Sequence, residues 1–238
     1  MAGDTLISTG TVALVVHIGL GLVSLVLFLA AFGWQAEGFL DPSSLVSAGA
    51  TKAALLRWGA AADLLSYYLA IPVIAYVLWR CTRPRSPHVA DLSFLAACAY
   101  AVAGGIAASL LAVVGPSLME SYAESGADQA VVAVAFGLLT GAVYAVWQFL
   151  DPLLLAAWWL GTALLLRVDQ VGFARLSGLL AVVAAVGAFA NLLGFQAVLT
   201  VLLAVLAPAW LTWAVWLLVL LRRRRVPFSF GRPGSPVR

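Results

Sequence analysis

Five stretches of this chain, 11–33, 58–79, 92–114, 176–194 and 197–221, are almost uninterrupted in apolar residues. A bilayer core of about 30 Å takes about 20 helical residues at about 1.5 Å each, so every stretch predicts one membrane-spanning helix. A sixth run is harder to divide. From Ala130 to Leu166 the only charge is Asp151. As one helix this run would be about 55 Å long, too long for one upright crossing and cramped for two.

The charges between the runs decide the count. Arg80, Arg83 and Arg85 follow the second span, Arg167 and Arg175 flank the loop before the fifth, and Arg222 to Arg225 follow the last. Glu120, Glu124 and Asp128 follow the third. Lys and Arg hold loops on the cytoplasmic side, so the Arg-bearing ends are expected inside and the acidic loop outside. One crossing between Asp128 and Arg167 satisfies this bias, whereas two would place the terminal Arg run outside. The expected fold is therefore all-α: one polytopic six-helix domain over 1–221, N-in and C-in, in a prokaryotic cytoplasmic (inner) membrane.

The fourth crossing is expected over about 147–166. The preceding 130–146 then lies along the outer interface, dips in as a re-entrant piece, or extends the span as a tilted helix. Asp151-Pro152 reads as a helix start, with Asp as cap and Pro at the first helical position, or as a kink in a continuous helix. Pro72 and Pro208 fall within spans two and six and predict kinks. The segment 222–238 reads as a basic cytoplasmic tail, attracted to anionic lipid at Arg222, Arg223, Arg224 and Arg225.

Composition reinforces the membrane reading. Hydrophobic residues make up 64% of the chain and charged ones 10%, and the mean hydropathy is +1.06, which excludes an ordinary soluble fold. The net charge of +3 comes from Arg clusters beside apolar runs, so it gives no argument for nucleic-acid binding. Met1 to Gly10 carries Asp4 and no Lys or Arg, and the run after it is too long for a signal-peptide core, so the first span is expected to be retained. Cys81 and Cys98 form no C-x-x-C pair and are expected as free thiols.

Polar groups within apolar spans are the places to look for function, because each costs several kcal/mol unless paired or wetted. His17, Asp63, Asp151 and Asn191 stand out. Counted from the nearest cytoplasmic Arg, Asp63, Asp151 and Asn191 each lie about 24 Å from the inner boundary, so three helices bring a polar group to one level in the outer third. Gln148, Gln196, Arg57 and the aromatics Trp58, Tyr67, Tyr68, Tyr144 and Trp147 belong to the same side. Gly59, Asp63, Tyr67 and Ile71 share one helical face, and Arg57 is a candidate counter-ion for either carboxylate. The candidate ligand-binding or ion-pair residues are thus Arg57, Asp63, Tyr67, Gln148, Asp151 and Asn191. The plainer alternative makes Asp63 and Asp151 helix-end carboxylates reaching headgroups and Asn191 an interhelical hydrogen-bonder. His17 is expected lower in the first span, bonded to a neighbouring helix.

The register Ala97, Ala101, Gly105, Ser109 and the pair Gly137 and Gly141 suit close helix approach. The nine Trp, including Trp34, Trp58, Trp79, Trp158 and Trp159, suit interfacial belts. A second membrane His partner for haem is absent, and the sole lysine, Lys52, precedes span two, which removes a retinal Schiff base. No hydrolase, nucleotide or zinc motif occurs, so no cofactor or metal is expected, and an enzyme would have to work through the carboxylates.

The segments Leu55 to Trp79 and Trp158 to Gly194 resemble a widespread family of prokaryotic six-helix membrane proteins of unknown function. The marks are Arg57 and Asp63 opening the second span, and the Gly172 to Gly178 loop ending in L-S-G. The resemblance implies the six-span fold and a joint role for Arg57 and Asp63, and implies no activity; the long apolar 130–166 run departs from it. The expected function is binding of a small molecule, lipid or partner helix through an outer-leaflet polar pocket, in an accessory or sensory role. A small transporter or channel is the first alternative, and a structural subunit of a membrane complex or a homo-oligomer the second.

Overall fold

The computed structural model describes residues 2–35, 38, 42–124 and 126–223. Among them there are helices and turns and no strand. Six helices are long and apolar enough to span a membrane. We number them α1 (Ala2–Ala31), α2 (Ala50–Thr82), α3 (Pro87–Ala123), α4 (Gln129–Leu166), α5 (Val171–Leu192) and α6 (Gln196–Arg222), with a short 3₁₀ helix, Ser43–Ala48, before α2. Arg224, Arg225 and the tail beyond them lie outside the described residues.

Local chemistry sets the boundaries. Ser86 is extended and Pro87 opens α3, a position where the missing N–H costs nothing. Asp128 caps α4, its carboxylate accepting from the Val131 N–H at 3.2 Å. α5 ends in a turn closed by Phe195 N–H to Ala190 O (2.8 Å) and Gly194 N–H to Asn191 O (3.0 Å). That turn needs φ +77° at Gly194, which glycine adopts without strain.

Consecutive helices pack as neighbours, through short connections everywhere but between α1 and α2, and α6 returns to pack against α1, closing a ring in the order α1 to α6. At one end Arg85 ion-pairs with Asp169, joining the α2–α3 and α4–α5 connections. At the other end Arg57 ion-pairs with Glu120 at 3.0 Å, and the Lys52 ammonium donates to the carbonyl of Ala30.

The fourth helix departs from the expected crossing of about 147–166. It starts at the Asp128 cap and runs as one helix to Leu166, so of the three placements expected for 130–146 the structure has the extension of the span, and no separate surface or re-entrant piece forms. Asp151 is not a cap: its backbone is helical and the helix continues through it. What marks this place is a π-helical turn, Val146–Leu150, just before Pro152. α2 carries the same device, a π-helical Leu64–Leu69 before Pro72. Proline removes the hydrogen bond to the carbonyl four residues back and crowds it. A widened turn relocates that carbonyl, so each proline is absorbed without breaking the helix.

The core has two parts. One gathers Trp158, Trp159, Phe173 and Trp213 with Leu14, Ile71 and Leu217, and the other gathers Phe28, Leu56, Leu111, Met119 and Phe136. Trp34 and Trp58 are exposed as an interfacial belt requires, but Trp158 and Trp159 are core residues, which corrects the expectation for them. Trp213 donates to the Ser177 hydroxyl at 2.9 Å, so its N–H is satisfied inside the bundle. Of the small residues, Ala97 and Gly105 are buried, while Gly137 and Gly141 have open space where a side chain would stand.

Candidate functional site

In the middle of the ring, α2, α3 and α4 bring polar groups together around one glycine. The Tyr68 hydroxyl donates to Asp151 Oδ2 at 2.9 Å. α3 stands between α2 and α4 in the ring, so this bond passes across the face of α3, and it does so at Gly104. A Cβ there would lie 1.9 Å from a Tyr68 ring carbon and 2.5 Å from Asp151 Oδ2. Only a residue without a side chain lets the two meet.

Asp151 is 3% exposed, and its second oxygen, Oδ1, is buried without a hydrogen-bond partner. Asp63 lies close enough to interact electrostatically with Asp151, Tyr67, Tyr68 and Tyr100. The hydroxyl of Ser24 stands beside the Asp63 carboxyl and also donates to Gly59 O at 3.1 Å. Tyr68 and Tyr100 are neighbours, ring centroids 5.0 Å apart. Two carboxyl groups and three phenols therefore share one interior region.

Aromatic rings continue the cluster toward α1 and α6. Trp210 meets Tyr67 at 5.0 Å, His17 at 5.7 Å, Tyr100 at 6.4 Å and Trp159 at 5.1 Å between centroids. His17 is buried, with Nδ1 3.1 Å from Ser66 O, and the Ser66 hydroxyl donates to His17 O at 2.7 Å. The indole N–H groups of Trp147, Trp159 and Trp210 are buried without partners. A buried polar atom left unpaired costs about 1–3 kcal/mol, so four around one region are unusual.

The sequence expectations divide accordingly. Asp63, Asp151 and Tyr67 are in the cluster. Arg57 is not: it pairs with Glu120 near the end of the bundle, so it is counter-ion to neither interior carboxylate. Asn191 sits in the last turn of α5, half-buried, with no hydrogen bond to either carboxylate. Gln148 is half-buried on the π-helical turn one helical turn before Asp151. Neither carboxylate is at a helix end, because α2 and α4 begin well before the expected span starts; Asp63 lies about 18 Å along the helix from Thr51. His17, placed far from the polar level by counting residues, joins the cluster through Ser66 and Trp210. Tyr68, an aromatic expected on the same side but not among the candidate binding residues, is in the cluster, and Tyr100 and Trp210 are site groups that the sequence reading does not single out.

A recess of about 430 Å³ at the α1–α2 connection, lined by residues including Phe32, Gln35, Leu45 and Lys52, holds neither carboxylate. Among the described residues no three His, Cys, Asp or Glu converge as a metal site requires. Because the Arg57–Glu120 pair is 42% and 46% exposed, Arg57→Ala is expected to cost under about 1 kcal/mol. Thermal unfolding in detergent checks this; a loss as large as that of an interior variant would place Arg57 in the cluster's support after all.

These helices and their broad apolar surfaces define a multi-pass helical membrane protein. No family model, curated protein or solved structure matches the chain.

Proposed function

We propose that this protein is a binding protein of the prokaryotic cytoplasmic membrane, N-in and C-in, that holds a small ligand among α2, α3, α4 and α6 in an accessory or sensory role. The observation that carries the reading is Asp151: a carboxyl group almost fully buried, held by Tyr68 through one oxygen, with the other oxygen unpaired and Asp63 within electrostatic range. Intramembrane carboxyls are costly and persist where they contact a ligand, an ion or a proton path. The Ser66 hydroxyl, 3.4 Å from His17 Nδ1, is committed to the His17 carbonyl, and that ring nitrogen faces Ser66 O, so the pair is not arranged as nucleophile and base, which favours binding over catalysis.

Native mass spectrometry of the particle in mild detergent tests the reading. Wild type is expected to carry a small molecule that Asp151→Asn and Asp63→Asn have lost. A wild-type particle that is bare, or whose adduct survives in both variants, would sink it.

Transport is the second reading, and one observation favours it. Each carboxylate adjoins a π-helical turn, Asp63 immediately before one and Asp151 immediately after the other, and such turns recur at functional and moving parts of helices. Flux into proteoliposomes that depends on Asp63 would support it.

The orientation rests on the Arg bias, with Arg83, Arg85, Arg167 and Arg222 at one end of the ring and Glu120, Glu124 and Asp128 at the other. Anionic lipid is the proposed partner of Arg222 to Arg225. Glu124→Cys should react with an impermeant maleimide on intact cells, and Pro84→Cys only after permeabilisation. The reverse labelling pattern would invert the topology.

A further inference from the structure

We infer that the ligand of the Asp63–Asp151 cluster is a small substituted ammonium carrying an oxygen, held by carboxylate on one side and aromatic faces on the other. This rests on the binding reading above and names its chemistry.

Charge balance is the first argument. Among the described residues no Lys or Arg is paired with the cluster: Arg57 is with Glu120, Arg85 with Asp169, and Lys52 on the Ala30 carbonyl. His17 is engaged with Ser66. Ionising Asp151, which is buried, and Asp63, which is half-buried, with no resident cation is strongly unfavourable, and a cationic ligand removes that cost. An anionic ligand would add to it.

Geometry selects the kind of cation. Metal ions such as Ca²⁺ take about six to eight oxygens, and the described residues bring no set of three acidic or His/Cys ligands together. The walls are instead rings: Tyr67, Tyr68, Tyr100, Trp159 and Trp210, linked in a chain of centroid contacts of 5.0 to 6.4 Å. Aromatic faces attract organic cations, substituted ammonium groups above all. Asp151 Oδ1, buried and unpaired, supplies the acceptor for the charge. The unpaired N–H groups of Trp159 and Trp210 are donors without acceptors, which an oxygen on the ligand would satisfy.

Size and entry follow from the packing. Rings this close admit only a small ligand, and one of them must swing to let it in. Trp210 is the ring on the least supported element. From Gln196 to Pro208, two residues before it, Leu199 is the one buried residue among the described side chains of α6.

The test is titration of the intrinsic tryptophan emission of the full chain in mild detergent. The probes are choline, ethanolammonium and tetramethylammonium at constant ionic strength, beside the uncharged isostere of choline in which carbon replaces nitrogen. Choline is expected to change the emission saturably and the isostere to bind at least tenfold more weakly. Asp151→Asn should bring choline down to the level of the isostere, and Asp63→Asn should weaken it in the same direction. Size-exclusion profiles matching wild type keep these variants interpretable, and either one suffices. If the isostere binds as well as choline, the cationic assignment falls while small-molecule binding stands. If none of the three ammonium probes binds, the assignment falls; an Asp151-dependent adduct in native mass spectrometry would then still uphold the binding reading, and its absence would remove both.

Discussion

Gly104→Ala is expected to destabilise the protein by about 3 kcal/mol, the sum of an overpacked contact and a disrupted hydrogen bond to a carboxyl group. The added methyl would stand 1.9 Å from Tyr68 and 2.5 Å from Asp151 Oδ2, distances at which something must move. Tyr68 is 5% exposed and Asp151 3%, so neither has free space to retreat into. For a chain of this length the change corresponds to roughly a 10 °C fall in unfolding midpoint, readable by scanning fluorimetry. Two neighbours serve as controls. At Gly105 the same methyl meets Leu64 and Tyr68 at an ordinary 3.5 Å, and at Gly137 it meets nothing within 4 Å. Both alanine variants should unfold close to wild type, and Gly137→Ala slightly above it, since alanine is the better helix former. A Gly104→Ala midpoint equal to these controls would mean that Tyr68 and Asp151 do not meet across α3.

How much of this was legible in the sequence differs by level. Five helices follow from run lengths and the sixth from the charges between the runs, and Arg83, Arg85 and Arg167 lie at the opposite end of the ring from Glu120, Glu124 and Asp128. The first half of α4 stays open in the sequence because Asp151-Pro152 reads equally as a start or as a kink, while the actual start, Asp128, is followed by a run too long for an upright crossing. Length was the wrong criterion there: helices α2, α3 and α4 all exceed 30 residues. The site was half legible. Asp63 and Asp151 are visible as charges in apolar runs. Their partners are not, because partner choice depends on helix phase, and each π-helical turn inserts an extra residue that shifts the phase by about 100°. The four-residue rule paired Asp63 with Tyr67. Within the π-helical turn it is Tyr68 that reaches across Gly104 to Asp151. The same dependence on tertiary packing hid Trp210, which a sequence presents as one of several membrane tryptophans.

Tyr68→Phe is expected to cost about 2 kcal/mol, more than the bond itself contributes, because it leaves both Asp151 oxygens buried and unpaired. The penalty belongs to the stranded carboxyl group, so it should vanish when that group is removed. In the background of Asp151→Leu, adding Tyr68→Phe should change the unfolding midpoint by less than about a quarter of its effect in wild type, giving a coupling of about 2 kcal/mol in a double-mutant cycle. Hydrophobic transfer does not complicate this comparison, since a helix in lipid gains little from burying apolar surface. The cycle also separates two roles for the tyrosine. A Tyr68 that only fills space would show additive losses. One that positions Asp151 would show strong coupling in stability, and Tyr68→Phe would in addition weaken choline binding while leaving the uncharged isostere unaffected. That last difference arises only if the oxygen Tyr68 holds belongs to the group that faces the ligand's charge.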